Sequence, residues 1–366
     1  GSNSQNRWEE QAGARDPGLV PIGELPQVRR NDYVFNANDS YWVPSAEFTL
    51  TGPYSIMNGE QGTALTMRTR QNAAVLGSSN TTGLAGEDGL FDAEEVRTAA
   101  FENSGRTAVL LREAAVAACQ AFPLIELPDL LADDGTVGLA ATTVDLTTAC
   151  QVLAAWDGVY DLDRAGPMIW RETMARFDDA DFEQAGPLFA DPFDPANPTT
   201  TPSTPAADPT PLLLAMARAV QTITEAGFAL DTTLGAAQFT ERSETRVPIH
   251  GGTGRDGVTN VVTWSASSTS SEPAPERGEP VAAGSSLRGE GYLINFGTSF
   301  VMTVDFSGEE PAAWALLVYG QTGDRLSPLF EVQTQAFSDK QWRQVAFTDE
   351  QIEADPDLDT VTVARR

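Results

Sequence analysis

The pattern of apolar residues changes along this chain, from helical spacing in its middle to strand-like runs near its end. Residues 107–120 repeat Leu and Ala at the i, i+3, i+4 spacing of one helix face. Asp92, followed three residues later by Glu95, forms a capping box and predicts the start of another helix. Similar patterns predict helices over 145–156, 168–177 and 211–226. Helices followed by strands indicate an α+β fold.

The strand-like runs lie in the last third of the chain. Strands are predicted over 291–296, 299–306 and 313–319, and short capped helices at Ser338 and Thr348. The run 313–319 is almost entirely apolar, which is typical of a strand buried on both faces. No internal repeat accompanies these elements.

These patterns divide the chain into three regions. Residues 1–84 are an entry segment that includes a candidate strand with two asparagines at 31–42, residues 85–230 are the helical region and residues 231–366 are the β-rich region. Residues 191–211 are rich in Pro and Thr, a composition typical of a flexible linker. Residues 265–286 are rich in Ser, Glu and Pro and predict a mobile surface loop.

The charge balance excludes two classes of partner. The 366 residues carry 23 basic and 52 acidic side chains, a net charge of −29, and Lys340 is the single lysine. Such a surface repels nucleic acid and anionic lipid. No apolar run reaches the length of a membrane span, and no signal peptide opens the chain. We therefore expect neither nucleic acid nor a membrane as a partner.

Two cysteines, Cys119 and Cys150, each lie in a helical pattern. They are either two buried free thiols or a disulfide between adjacent helices, and the residues alone leave both alternatives open. Two Cys and the single His250 supply fewer than the four ligands of a zinc site, so we expect no metal centre.

Residues 31–42 combine a short apolar run, Tyr33-Val34-Phe35, with two asparagines, Asn36 and Asn38. If the run is a strand, its alternation places both amides on one side. A side-chain amide donates hydrogen bonds without carrying charge, so it can hold an oxyanion. The alternative is a polar turn in which the Asn side chains bond their own backbone.

This stretch is similar to the N-x-N-D-S-x-W segment in the larger subunit of penicillin-amidase-type hydrolases. It is closest to the branch that contains acyl-homoserine lactone acylases and aculeacin A acylase. The resemblance continues, in the family's order, through residues 67–70, 154–157, 247–252, 319–324, 327–328, 333–334, 337–338 and Trp342. It extends over nearly the whole chain and includes part of the Pro- and Thr-rich stretch, so no domain boundary is placed there.

The resemblance implies an N-terminal-nucleophile hydrolase with a layered αββα fold, acting on linear amides without a cofactor. It assigns the oxyanion-holding side chain to Asn38, and to Arg68 the arginine that lies beside the nucleophile and orients this Asn. The planar, permanently charged fork of an arginine fits that work better than a lysine. Relatives of this kind are exported, which implies a periplasmic or secreted protein and favours the Cys119–Cys150 disulfide.

The nucleophile that the resemblance implies is a serine freed by self-cleavage at the start of the larger subunit. Ser2 mimics that site but leads into a polar stretch rather than an apolar strand, so we reject it. The family also places its nucleophile far upstream of the position of Asn38. We therefore expect a C-terminal part of the larger subunit, inactive alone, whose partners are the upstream part, the smaller subunit and a small acyl-amide substrate. His250, the single histidine, is expected to be structural.

Two alternative functions come from the residues alone. A non-catalytic, acidic, β-rich scaffold or binding module explains a missing nucleophile without any upstream part. A carboxylate enzyme or calcium binder is suggested by the acidic clusters at 178–181 and 355–359. Neither cluster has the glycine turn and the twelfth-position Glu of a calcium loop, so solvated acidic faces are favoured.

Overall fold

Helices dominate the middle of the chain in the computed structural model, which describes residues 11–363 except 17, 78–83, 133, 243–244, 266–277, 321 and 357. The longer helices are α1 (Met67–Leu76), α2 (Ala93–Ala100), α3 (Arg106–Ala121), α4 (Thr147–Ala155), α5 (Pro167–Met174) and α6 (Thr210–Glu225). The shorter ones are α7 (Leu234–Ala237), α8 (Val332–Ser338) and α9 (Asp349–Glu353), with 3-10 turns at Ile22–Glu24, Ile56–Asn58 and Asp179–Phe182. Within the described residues, no helix combines the length and apolar character needed to cross a bilayer.

The helix ends follow local chemistry. The Asp92 side chain accepts hydrogen bonds from the backbone N–H groups of Glu94 and Glu95, and Glu95 reaches back to Asp92, which completes the predicted capping box. Helix α6 has Pro211 in its first turn and is followed by Gly227 at φ +85°. The predicted helices in this region are confirmed, with bounds shifted by a few residues.

The strands form several small sheets. They are β1 (Leu124–Leu127), β2 (Leu130–Leu131), β3 (Val137–Leu139), β4 (Thr142–Asp145), β5 (Gln238–Thr240), β6 (Val247–Pro248), β7 (Val262–Thr263), β8 (Tyr292–Leu293), β9 (Phe296–Gly297), β10 (Phe300–Asp305), β11 (Ala312–Leu317) and β12 (Arg343–Val345). β10, β11 and β12 are antiparallel neighbours, β5 pairs with β6 and, in parallel, with β8, and β7 pairs with β9. The pairs β1–β4 and β2–β3 lie inside the helical region. The fold is α+β, as predicted.

The predicted strands 299–306 and 313–319 are confirmed as β10 and β11, whereas other details of the strand predictions are wrong. Tyr33-Val34-Phe35 is not a strand, because the single bond from the Phe35 N–H to the Pro44 carbonyl, at 2.9 Å, does not extend into a ladder in the described structure. The predicted strand 291–296 is split, since β8 pairs with β5 and β9 pairs with β7. The strand in the run 313–319 is largely half-buried, so only the expectation that both its faces are covered is wrong.

Two further predictions are also wrong. Ser338 ends α8 instead of starting a helix, because the Asp339 N–H closes the last turn on Gln335. Residues 191–211 are not a free linker, since the Asp191 carboxylate accepts the N–H groups of Ser203 and Thr204. The mobile loop predicted at 265–286 lies partly outside the described residues.

Within the described part of the chain, three groups of buried apolar residues hold these elements together. The largest combines α3, α4, α5 and α6 with Met67 of α1 and Tyr292 of β8. A second lies between β6, β11 and α8 and includes Phe101, Ile294 and Phe337. The third is Trp42, Val43 and Leu65, which packs the chain just after Asn38 against the chain just before α1.

A disulfide ties α3 to α4. Cys119 and Cys150 are bonded to each other, and their Cα atoms are 6.1 Å apart, within the range that such a bridge spans. Both residues belong to the largest apolar core. Of the two alternatives that the residues left open, the disulfide is confirmed.

Candidate functional site

Residues 36–40, here called the asparagine loop, are shaped by the side chain of Asn36. Its Oδ1 accepts the backbone N–H of Asn38 at 2.9 Å, and its Nδ2 donates to the Asp39 carbonyl at 3.0 Å. The loop thereby holds Asn38 at φ +73°, a left-handed conformation that Asn tolerates better than most residues. Asn36 therefore makes the predicted turn, whereas the Asn38 side chain makes no hydrogen bond within this fully described loop and can contact other residues.

Arg68 fixes the orientation of the Asn38 amide. Its Nη2 donates to Asn38 Oδ1 at 2.8 Å. Because a guanidinium has donors only, it selects the amide oxygen and leaves the Nδ2 donor on the other side. Among the described residues, Nδ2 has no hydrogen-bond acceptor. The two residues that the resemblance singles out are thus in direct contact.

Helix α1 carries Arg68 in its first turn. Thr66 is the N-cap of this helix, and its side chain accepts the N–H of Thr69 at 3.3 Å. The carboxylate of Asp39 accepts from both the N–H and the hydroxyl of Thr66, at 2.8 and 3.0 Å. The asparagine loop and the start of α1 therefore share a direct polar connection.

Asn38 and Arg68 line a cavity of about 990 Å³, a size suited to a small-molecule ligand. Part of its wall is apolar and comprises Leu65, Met67, Phe182, Val261, Phe296 and Phe300. Its charged lining residues are Arg68, Arg171, Glu172, Asp179, Glu183 and Arg255. The cavity thus combines apolar surface with an amide donor whose direction is fixed.

A buried polar network forms another part of the cavity wall. The Arg171 guanidinium lies 4.0 Å from the centre of the Tyr292 ring and donates to Ser286 Oγ at 3.0 Å. Glu172 accepts the Tyr292 hydroxyl at 2.8 Å, and burial, followed by the Glu172 charge, raises the pKa of Tyr292 well above its usual value. Tyr292 therefore acts here as a neutral donor. These side chains are far apart in sequence, and nothing in their local patterns predicted their contact.

Two of the acidic side chains near the cavity, Asp179 and Asp181, have hydrogen-bond partners in the protein. Arg255 donates to Asp179 at 3.2 Å, and the Asp181 carboxylate accepts the backbone N–H of Asp178 at 2.8 Å. Burial, then the charges of Asp179 and Asp39, raise the pKa of Glu183. Within the described part of the chain, no three His, Cys, Asp or Glu side chains cluster as metal ligands. The acidic cluster 355–359 includes residue 357, which lies outside the described residues.

His250 is fully buried and does not line the cavity. Its Nδ1 lies 3.0 Å from the amide nitrogens of Asn103 and Asn260, and its Nε2 lies 2.9 Å from the Phe337 carbonyl oxygen. Amides donate and a carbonyl accepts, so the ring is neutral with its proton on Nε2. Burial and the charge of Lys340 lower the pKa of His250 to about 4. These contacts fit the structural role predicted for it.

Comparison with known proteins extends the resemblance to almost the entire chain. A sequence model described as penicillin amidase matches residues 1–354. Aculeacin-A acylase of Actinoplanes utahensis is 31% identical over 100% of this chain and 41% of its own length. The acyl-homoserine lactone acylase PvdQ of Pseudomonas savastanoi pv. phaseolicola is 29% identical over 97% of this chain and 40% of its own length.

Among solved structures, a thermostable penicillin G acylase from Alcaligenes faecalis covers 90% of this chain and 56% of its own, with 16% identity and a TM-score of 0.39. The chain spans only about 40% of the length of the curated relatives it matches. The match to the family's sequence model nevertheless covers nearly every residue. The chain belongs to the penicillin amidase family.

Proposed function

We propose that this chain is part of an acylase that hydrolyses a linear amide bond in a small N-acylated substrate. The observation that carries the proposal is the 2.8 Å hydrogen bond from Arg68 to Asn38 Oδ1 beside the cavity. It directs an uncharged N–H donor to one place, which is what an oxyanion hole requires. The substrate class is the N-acyl group of a lactone, a lipopeptide or a β-lactam. Membership of an amidase family disfavours the non-catalytic scaffold.

The proposed reaction uses a serine at the N-terminus of a polypeptide outside this chain. Its hydroxyl attacks the amide carbonyl while its own α-amine, with an ordinary pKa near 8, takes the proton. Negative charge then develops on the carbonyl oxygen, and Asn38 Nδ2 donates to it. The amine leaves with a proton, and water releases the acid from the serine ester. Arg68 contributes by keeping Asn38 Oδ1 turned away from the oxyanion.

The proposed partners are the upstream part of the larger subunit, freed by self-cleavage, and the smaller subunit. The exposed apolar side chains of Phe300 and Met302 support this assignment. They lie on one face of β10, and Ala315 and Leu317 of β11 are paired with them. An uncovered apolar sheet face is a common site of association. In this proposal the upstream part covers it and completes the layered αββα fold.

The division of the chain into regions and the cellular location that we propose both rest on the same family resemblance. Residues 1–84, 85–230 and 231–366 form one structural unit with the upstream part. We place the protein in the periplasm or outside the cell, and the disulfide between Cys119 and Cys150 supports this, because such bonds persist in oxidising compartments.

The test is to produce residues 1–366 alone and together with the upstream part, then to measure acid and amine release from fatty-acyl and phenylacetyl amides. We expect the isolated chain to be inert and prone to association, and the assembled protein to turn over. Turnover by the isolated chain that Ser2→Ala abolishes would place the nucleophile at Ser2. An assembled protein that is folded but hydrolyses none of these amides would overturn the proposal.

A further inference from the structure

Asp39 connects the two parts of the chain that carry the candidate oxyanion site. Its Oδ2 accepts the Thr66 N–H at 2.8 Å and the Thr66 hydroxyl at 3.0 Å, across 27 residues of sequence. Asp39 follows Asn38 directly, and Thr66 lies two residues before Arg68. One carboxylate oxygen therefore ties together two backbone points whose neighbouring side chains meet at 2.8 Å.

Packing alone does not hold the Asn38 amide in place. Asn38 is exposed and Arg68 is only half-buried. The hydrogen bonds of Asn36 stay within the asparagine loop, and the Ser40 hydroxyl bonds the Glu60 carbonyl rather than α1. Among these polar contacts, the Asp39–Thr66 bonds and the Arg68–Asn38 bond itself are those that connect the loop to the start of α1.

The carboxylate also suits the place where it binds. Thr66 caps α1, and the first N–H groups of a helix carry partial positive charge that favours an anion. A hydrogen bond to a charged acceptor is roughly twice as strong as a neutral one. The apolar cluster of Trp42, Val43 and Leu65 packs the same two segments nearby. Loss of the Asp39 bonds should therefore loosen the site without unfolding this part of the chain.

We propose that Asp39 is a positioning residue, which holds Asn38 and Arg68 in register so that the Asn38 amide points into the cavity. This inference rests on the proposed function, because its effect on turnover requires Asn38 to bind the oxyanion. A donor displaced by about 1 Å can cost on the order of a hundredfold in rate.

The experiment compares Asp39→Ala and Asp39→Asn in the assembled protein. We expect Asp39→Ala to lower kcat by roughly tenfold to a hundredfold with KM little changed, because substrate binding uses the rest of the cavity. Asn still offers one oxygen at the position that accepts both Thr66 bonds. If Asp39→Ala lowers kcat about a hundredfold, Asp39→Asn should therefore lower kcat by about tenfold or less. Asp92→Ala is the matched control, since it removes a helix cap at α2, outside the cavity lining, and should leave kcat unchanged.

Repeating Asp39→Ala in a protein that already carries Asn38→Ala separates a positioning role of Asp39 from a general structural effect. If Asp39 acts through Asn38, then Asp39→Ala should not slow the residual turnover of an Asn38→Ala protein further. The inference would be overturned if Asp39→Ala lowered kcat by the same factor in the native sequence and in the Asn38→Ala protein. It would also be overturned if the Asp39→Ala single variant had a normal kcat. Either result would leave the proposed function standing. If Asn38→Ala itself turns over normally, the proposed function fails, and this inference fails with it.

Discussion

Arg70 Nη2 donates to the Pro202 carbonyl at 2.7 Å, across 132 residues of sequence. Its Nε also bonds the Thr199 carbonyl at 3.3 Å, so one guanidinium holds two points of the Pro- and Thr-rich stretch against α1. Arg70 is 1% exposed, and burial, then the charge of Arg106, lower its pKa to about 9. A stretch whose composition is typical of a linker is therefore held in place by a buried cation.

We expect Arg70→Ala to lower the free energy of unfolding by roughly 2–4 kcal/mol, because it leaves a cavity and two buried carbonyls without donors. The 191–204 segment should become sensitive to a protease of broad specificity before the rest of the chain does. Arg70→Lys should recover little, since an ammonium lacks the fork that reaches both carbonyls. Arg15→Ala is the control, because its side chain is 86% exposed. Unchanged cleavage of 191–204 in Arg70→Ala would contradict this role.

Replacement of Asn38 tests the oxyanion assignment directly. We expect Asn38→Ala to lower kcat of the assembled protein by roughly a hundredfold to a thousandfold, as loss of one oxyanion donor does. Asn38→Gly should lower kcat to the same extent. Because Gly adopts φ +73° without strain, that result would assign the loss of kcat to the missing amide rather than to a changed backbone.

Asn31→Ala provides the comparison for Asn38, because Asn31 is exposed and lies outside the cavity lining. Steady-state kinetics on a fatty-acyl amide measures all three variants. A near-normal kcat for Asn38→Ala would remove this residue from the mechanism.

Local signals explain what could be predicted from the sequence. The capping box of Asp92 and Glu95, and Pro211 near the start of α6, act within one helical turn, so the residues alone reveal them. Helix α1 was not predicted, because its buried face includes Thr69 and Arg70 rather than an apolar stripe, and the Thr66 cap alone is a weak signal.

The candidate site was predictable only through the family resemblance. Asn38 and Arg68 are thirty residues apart, and no spacing rule brings them together. The contact of Arg171 with Tyr292 likewise joins α5 to β8 through tertiary packing. For the paired asparagines the residues alone left a strand and a polar turn open, and the hydrogen bonds of the Asn36 side chain show the turn.

We expect the protein with the disulfide to be more stable than one without it, by an amount that depends on the length of the loop that the disulfide closes. Cys119 and Cys150 are 31 residues apart, and closing such a loop stabilises a folded chain by about 2–4 kcal/mol. A protein with both Cys119→Ser and Cys150→Ser should be less stable by that amount in denaturant unfolding. Peptide mapping without reductant should recover the two cysteines in one linked fragment. Two titratable thiols in the unreduced, denatured protein would contradict the bridge.

Because of His250, we expect the free energy of unfolding to fall on mild acidification. Its pKa is about 4 in the folded chain and near 6.5 when unfolded, so between these values the unfolded state binds a proton that the folded state does not. The free energy of unfolding should therefore fall as the pH drops from about 6.5 to about 4, by on the order of 3 kcal/mol from this residue. Below that range the contribution should level off.

The measurement is denaturant unfolding across this pH range for the native sequence and for His250→Gln. Gln keeps a donor that can reach the Phe337 carbonyl but does not titrate, and both proteins share every carboxylate. The difference between the two curves therefore isolates the histidine. We expect His250→Gln to be the less stable protein near neutral pH, with a gap that narrows on acidification. Parallel curves would mean that His250 takes up its proton equally in both states, contrary to a neutral ring held between Asn103, Asn260 and Phe337.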